Sequence, residues 1–229
     1  MAGRLLALLA ERPALIVSLP ANSPELAQAA ADGGADALKV HLNVRHEASG
    51  TRFGALSEEQ ANLEAIIGLG LPTGVVPGAG DQLPSPEEID AVAAMGMDFF
   101  DLYAHDMPAW LVGFSGMTRA IALDHSWDAG SLQQYAALGF ELIEAAVVPH
   151  EGYGRPLSVA DLASYRRLRE STDLPLIVPT QRAIRPEEAP MLVGPIGINA
   201  IMIGVIVTGR EPRSLRAATA RFAAALGEA

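Results

Sequence analysis

The chain has 229 residues, 50% of them hydrophobic, enough to bury one large core without dividing into two domains. Its net charge of −11 argues against a nucleic-acid surface, which needs clustered Lys and Arg. It contains no cysteine, which excludes disulfides, thiolate catalysis and Cys-ligated zinc.

Leu5 to Ala10 is an apolar run that meets Glu11-Arg12-Pro13 at once. It is too short for a signal peptide and reads as a helix before the first strand. No apolar run approaches a membrane span, so a soluble, cytoplasmic protein is expected, and the apolar composition suggests a homo-oligomer.

Apolar, β-branched runs then alternate with helical patterns. The predicted strands are 14–19, 37–42, 73–76, 99–103, 121–124, 142–148, 176–179 and 200–207. Helix starts stand at Ser23-Pro24-Glu25, Ser57-Glu58-Glu59, Ser85-Pro86-Glu87, Ser158 to Asp161 and Arg185-Pro186-Glu187. At such starts a capping side chain, a first-turn proline and nearby acids satisfy the free amides. Eight strands alternating with helices predict an α/β fold: a single-domain (β/α)8 TIM barrel spanning residues 1–229, with a short N-terminal helix. A doubly wound open sheet is the alternative, and the first strand lacks the Gly-rich dinucleotide turn of its common cofactor-binding form.

Strand 37–42 carries the chemistry. Leu38, Val40 and Leu42 share its apolar face, while Lys39, His41 and Asn43 share the other. Lys39 is the only lysine in a chain whose other cations are arginines. That pattern suggests a site where a compact or titrating amine is required and a guanidinium is not equivalent. Parity puts Ser18, Asp101, Tyr103, Asp124 and Glu144 on inward faces of other strands. Lys39, Asp101 and Glu144, with Gly204 leaving room for a ligand, are expected in one interior layer. An amine between two carboxylates suits proton transfer beside a carbonyl, with Lys39 as acid or electrostatic stabiliser. The alternatives are imine formation by Lys39 and a purely structural salt-bridge cluster.

All five histidines, His41, His46, His105, His125 and His150, stand at or after the C-terminal ends of strands, where barrels of this kind place their sites. The loop from Asn43 to Leu56, with His46, Glu47 and Arg52, is long and donor-rich, as a lid would be. His150 to Arg155 combines two glycines with an arginine that could reach an anion. The predicted catalytic set is Lys39, Asp101, Glu144 and His41. The predicted substrate contacts are Ser18, Asn43, His46, Arg52, His105, Asp124, His125, His150, Arg155, Gln181, Arg182 and Gly204. No cofactor is required by this reading; the His and acid pairs at the strand ends make a divalent metal an open alternative, although no ligand spacing marks one.

Asn199 to Thr208, followed by Arg210-Glu211-Pro212 and an amphipathic helix, resembles the final strand and helix of ribulose-phosphate-binding barrels. It is most similar to the N-acetylmannosamine-6-phosphate 2-epimerase type, as are Leu15 to Ser18 with Ala31 to Ala37 at the start. The resemblance covers the two ends of the chain. It implies an isomerase or epimerase acting on a small, phosphorylated, sugar-like metabolite, with Gly204 near the phosphate. Two departures stand out: Val205 and Ile206 replace small residues, and Pro179-Thr180-Gln181-Arg182 replaces a glycine-bearing turn. Arg182 is the candidate substitute for the missing amides, and no catalytic residue is carried over from the family. An imine-forming lyase and a non-catalytic binding or assembly barrel are the other readings.

Overall fold

The computed structural model describes residues 3–46 and 48–227. In chain order these form α1 (Arg4–Glu11), β1 (Ala14–Ser18), α2 (Pro24–Asp32), β2 (Ala37–His41), α3 (Leu56–Ile67) and β3 (Thr73–Val76). There follow α4 (Pro86–Ala94), β4 (Phe99–Tyr103), β5 (Thr118–Ala122), α5 (Ala129–Ala137), β6 (Leu142–Glu144), α6 (Val159–Glu170) and β7 (Leu176–Pro179). Short α7 (Ala189–Met191), β8 (Ala200–Ile203), one-turn α8 (Val205–Thr208) and α9 (Pro212–Gly227) complete the chain. The eight strands are parallel and close in sequence order into the expected (β/α)8 barrel.

Local chemistry explains most helix starts. Ser23 and Ser85 accept amide hydrogen bonds from Leu26 and Glu88, each before a first-turn proline, and Ser158 forms a capping box with Asp161. Ser57 does not cap; α3 starts at Leu56, two residues earlier than a Ser57 cap would give, with Ala55 as its cap. A 3-10 turn, Ala109–Gly113, stands in place of a full helix after β4.

Strands β1 and β2 end one residue earlier than expected, and three strands differ by more. β5 begins at Thr118, because Arg119 points outward and donates to the Val112 carbonyl, a polar interruption that hid the first half of the strand. Asp124 therefore lies two residues past the strand end. β6 stops at Glu144, because Gln181 supplies side-chain partners to Ala146 O and Val148 N in place of a neighbouring strand. β8 ends at Ile203, and its β-branched continuation Val205-Ile206-Val207 is helical. There tertiary context overrides propensity: the Gly204 amide turns to Thr180 Oγ1 at 2.9 Å.

The strand register fixes what faces the barrel interior. Following the pairs from β2 to β3 to β4 sets Lys39 against Gly74 and Gly74 against Phe99. The barrel's tilt advances each second strand by two residues, so Asp101 lies level with Lys39. The same step leads through Ala120 and Leu142 to Glu144, through Ile177 and Ala200 to Met202, and through Ile16 and Ala37 back to Lys39. Met202, not Gly204, is thus the fourth member of that layer. Below it lie Ile16, Gly74, Ala120 and Ile177. A Cβ on Gly74 would stand 2.1 Å from the Phe99 ring, so only glycine lets that ring fill the base. Above it come Ser18, Val76, Ala122 and Pro179, then His41, Tyr103, Ala146 and Gly204.

The opposite end is closed by α1, whose Leu5 and Leu9 join the barrel's internal apolar cluster. Its N-terminus has no cap of its own. Buried Asp98 serves instead, accepting from the Arg4 and Leu5 amides at 2.9 and 2.8 Å. Asp98→Ala should cost about 1–3 kcal/mol in denaturant unfolding and raise amide exchange in α1 selectively. An unchanged midpoint would remove Asp98 from this role.

Candidate active site

A cavity of about 600 Å³ opens at the C-terminal ends of the strands, a volume typical of small-molecule sites. Its inward wall is the stack just described: a charged layer, a ring of small or short side chains, and an outer ring containing His41 and Tyr103.

In the charged layer Lys39 Nζ donates to Asp101 Oδ2 at 2.9 Å and to Glu144 Oε2. The three side chains are 6%, 3% and 9% exposed. Burial disfavours the charged amine, but Asp101 and Glu144 as hydrogen-bond acceptors, with the negative charge they share, outweigh it and raise the amine's pKa. The two acids diverge. Burial, reinforced by the charge of Asp101, raises Glu144 well above the usual carboxylate range. Burial opposes ionisation of Asp101 too, yet the charge of Lys39 and its hydrogen bonds hold that pKa below the ordinary value. The shifts leave the two acids sharing one proton, with Glu144 its favoured holder, so that one carboxylate balances the ammonium. Asp101 and Glu144 also share a side-chain hydrogen bond, which favours the proton on Glu144 and leaves Asp101 as the acceptor.

His41 lies above this group, its ring 4.6 Å from that of His46 and 4.7 Å from that of Phe53. Burial, then His46 and Lys39, hold it well below its usual pKa, so it is neutral, and its buried Nδ1 has no partner. Burial and the Lys39 charge likewise lower His46 to about 4. The Ser49 amide donates to His46 Nδ1 at 3.2 Å, which puts the imidazole proton on Nε2. The loop carrying His46 is a hairpin, bridged between Arg45 and Arg52, and Arg210 donates to its Ser49 carbonyl. Glu47 of this loop lies outside the described residues.

At the rim, His105 Nδ1 is 3.3 Å from Asp124 Oδ2, and Ser126 donates to Asp124 Oδ1 from its amide at 2.8 Å and its hydroxyl at 2.5 Å. The Ser126 hydroxyl is the main reason that the Asp124 carboxyl is held below the usual range. His125, His150, Gln181, Ser18 and Gly204 also line the cavity.

Four expected contacts lie away from it. Asn43 adopts a left-handed backbone, φ 53°, that turns its amide to Pro77 O and Glu88 Oε1 at 3.2 and 3.0 Å. Arg52 is 75% exposed and reaches only Glu58, at 4.0 Å. Arg155 is exposed outside the mouth. Arg182 is committed to Asp161 Oδ1 at 2.9 Å and to the Gly152 carbonyl at 2.7 Å, stapling the loops after β6 and β7. Conversely, Tyr103, Tyr153 and Thr180 line the cavity without having been singled out as contacts. For Tyr103 the signal was present, since it sits two residues above Asp101 on the same face. No group of three or more His, Asp or Glu side chains that could hold a metal occurs among the described residues.

No family model matches the sequence, and no curated protein matches it. Solved structures do share the architecture. Tryptophan synthase from Mycobacterium tuberculosis aligns over 99% of both chains with TM-score 0.76 at 18% identity. KGPDC from Streptococcus mutans aligns over 95% of this chain and 98% of that one with TM-score 0.68 at 13% identity. A second structure of KGPDC, solved in complex with a ligand, gives TM-score 0.70 over 94% and 98%, again at 13% identity. The chain is therefore a TIM barrel like these proteins, and at such identities the likeness concerns the fold alone.

Removing the cation should expose the balance in the charged layer. Lys39→Met leaves two buried carboxyls and no counter-charge, which should cost about 3–5 kcal/mol. Their folded pKa values would then both exceed the unfolded ones, so stability is present at low pH and lost as pH rises through the folded values. The variant should melt higher at about pH 5 than at about pH 8, and the triple variant Lys39→Met/Asp101→Asn/Glu144→Gln should lose that dependence. A pH-independent deficit in Lys39→Met would contradict the assigned charges.

Proposed function

We propose that this barrel is an enzyme that moves a proton next to a carbonyl in a small sugar-like metabolite, an isomerase or epimerase. One observation carries the reading: a buried lysine amine is hydrogen-bonded to two buried carboxyls, whose pKa values are driven apart, at the base of an open cavity. Asp101 would take the proton from carbon, Glu144 would return one, and Lys39 would stabilise the charge that develops on the carbonyl oxygen. His41, neutral and above the triad, would face the substrate's outer end.

Imine formation is less well supported, because it needs a neutral amine and both carboxyls favour the charged one. A non-catalytic binding barrel gives no reason to bury three ionisable groups beneath an open cavity, where they cost stability. A phosphorylated substrate is the finer part of the proposal. Its phosphate would meet the first-turn amides of Val205 and Ile206, which have no intrahelical partners and line the cavity beside Ser18. The resemblance at the two chain ends to ribulose-phosphate-binding barrels supports this part. The proposal needs no cofactor. A homo-oligomer in the cytoplasm belongs to the same proposal, and no helix among the described residues is long and apolar enough to cross a membrane.

The test is incubation in D2O with small aldoses, ketoses and their phosphates, reading deuterium incorporation beside the carbonyl by NMR. Asp101→Asn and Glu144→Gln should each slow exchange by about 10²–10⁴-fold. Borohydride should leave no adduct on Lys39; a reduced substrate adduct there would replace this reading with the lyase.

A further inference from the structure

Tyr103 is among the cavity groups that the proposed reaction leaves unused. Tyr103 stands one inward step above Asp101 on β4, across the mouth from Gly204, with only the ring of Ser18, Val76, Ala122 and Pro179 between its layer and the charged one. A small substrate seated in that ring has the triad below it and the phenol above it.

The phenol is held on two sides. Its ring stacks on His105 at 5.4 Å and 13°, and its hydroxyl shares a hydrogen bond with Tyr153. Tyr153 is in turn placed by Gln181, whose orientation is not free. The Val148 amide can only donate, at 3.0 Å, so the atom it meets is Oε1, and Nε2 must be the donor. Nε2 gives its hydrogens to the Ala146 carbonyl at 3.2 Å and to the Tyr153 hydroxyl at 2.7 Å. Gln181 is buried and both ends of its amide are engaged, so it has little left to offer a ligand. Burial, with Tyr153, Glu144 and Asp101 nearby, raises the Tyr103 pKa, so the phenol keeps its proton.

We infer that Tyr103 is a further catalytic residue that turns its single hydroxyl hydrogen from Tyr153 to the substrate's carbonyl oxygen, with Tyr153 donating to the Tyr103 oxygen in exchange, and that Gln181 acts as a positioning residue through Tyr153. The inference rests on the proton-transfer reading above. When Asp101 takes the proton from carbon, the C–H bond breaks and an O–H bond forms on Asp101. The electron pair becomes the C=C bond of an enediolate, and the former carbonyl oxygen takes the negative charge. Lys39 meets that charge from below and the Tyr103 hydroxyl from above. Glu144 then gives its proton to carbon, and the proton taken by Asp101 passes to Glu144 across the hydrogen bond between the two acids, which restores every group with no oxidant or co-reactant.

The test pairs deuterium exchange with binding of glycolohydroxamate, a stable mimic of an enediolate, measured by calorimetry on wild type, Tyr103→Phe and Gln181→Met. Circular dichroism and melting would check that each variant folds. Tyr103→Phe should lower kcat for exchange by about 10²-fold with KM little changed, the loss expected for one oxyanion donor. It should also weaken hydroxamate binding about tenfold or more, roughly 1.4 kcal/mol. Gln181→Met should show the same pattern in smaller degree, and no further loss when combined with Tyr103→Phe. Wild-type exchange and binding that Tyr103→Phe leaves within about threefold would overturn the role of Tyr103. Additive losses in the double variant would overturn the positioning role of Gln181. A wild type that neither exchanges nor binds would instead remove the proton-transfer reading, and this inference with it.

Discussion

An ammonium enclosed with two carboxyls inside a ring of strands is the constraint on which the rest depends. Each of the three groups, taken alone, would be expelled from the barrel or would give up its charge. Together they settle on one positive and one negative charge and one shared-out proton, which makes the cluster tolerable and also unequal. That inequality separates two like side chains into a proton acceptor and a proton donor. Arginine would not be equivalent to Lys39 on these terms, since its planar fork presents its donors in a fixed geometry where lysine offers a compact point charge.

The barrel supplies the enclosure by simple arithmetic. A step of two residues for every second strand closes the circuit from Lys39 through Asp101, Glu144 and Met202. Beneath it, the apolar layer of Ile16, Gly74, Ala120 and Ile177, with the Phe99 ring filling the space over Gly74, keeps water from the charges. Above it, short side chains leave the cavity. The packed end is closed by α1 and Asp98 and the ligand space lies at the other, as the fold generally arranges.

The strand order and the inward faces were legible because parallel strands buried on both sides read as apolar runs, and polar residues at alternate positions then stand out. Lys39, Asp101 and Glu144 were visible for that reason. Layer membership was only partly legible: choosing Gly204 instead of Met202 is an error of one layer, which only the pairing register corrects. The β-branched stretch after Gly204 looked like strand because nothing local shows that Thr180 captures the Gly204 amide. Asn43 and Arg182 were misplaced for a related reason. Both are polar residues spent on the scaffold, and the Pro77 carbonyl, Glu88, Asp161 and Gly152 that occupy them lie far away in sequence.

The account turns on where one proton resides. Isotope-edited infrared spectroscopy of protein labelled with 13C at the glutamate side-chain carboxyls, compared with Glu144→Gln at neutral pH, reads that directly. The account predicts a protonated-carboxyl band in the wild type that the substitution abolishes. A wild-type spectrum showing only ionised glutamate carboxylates would contradict it.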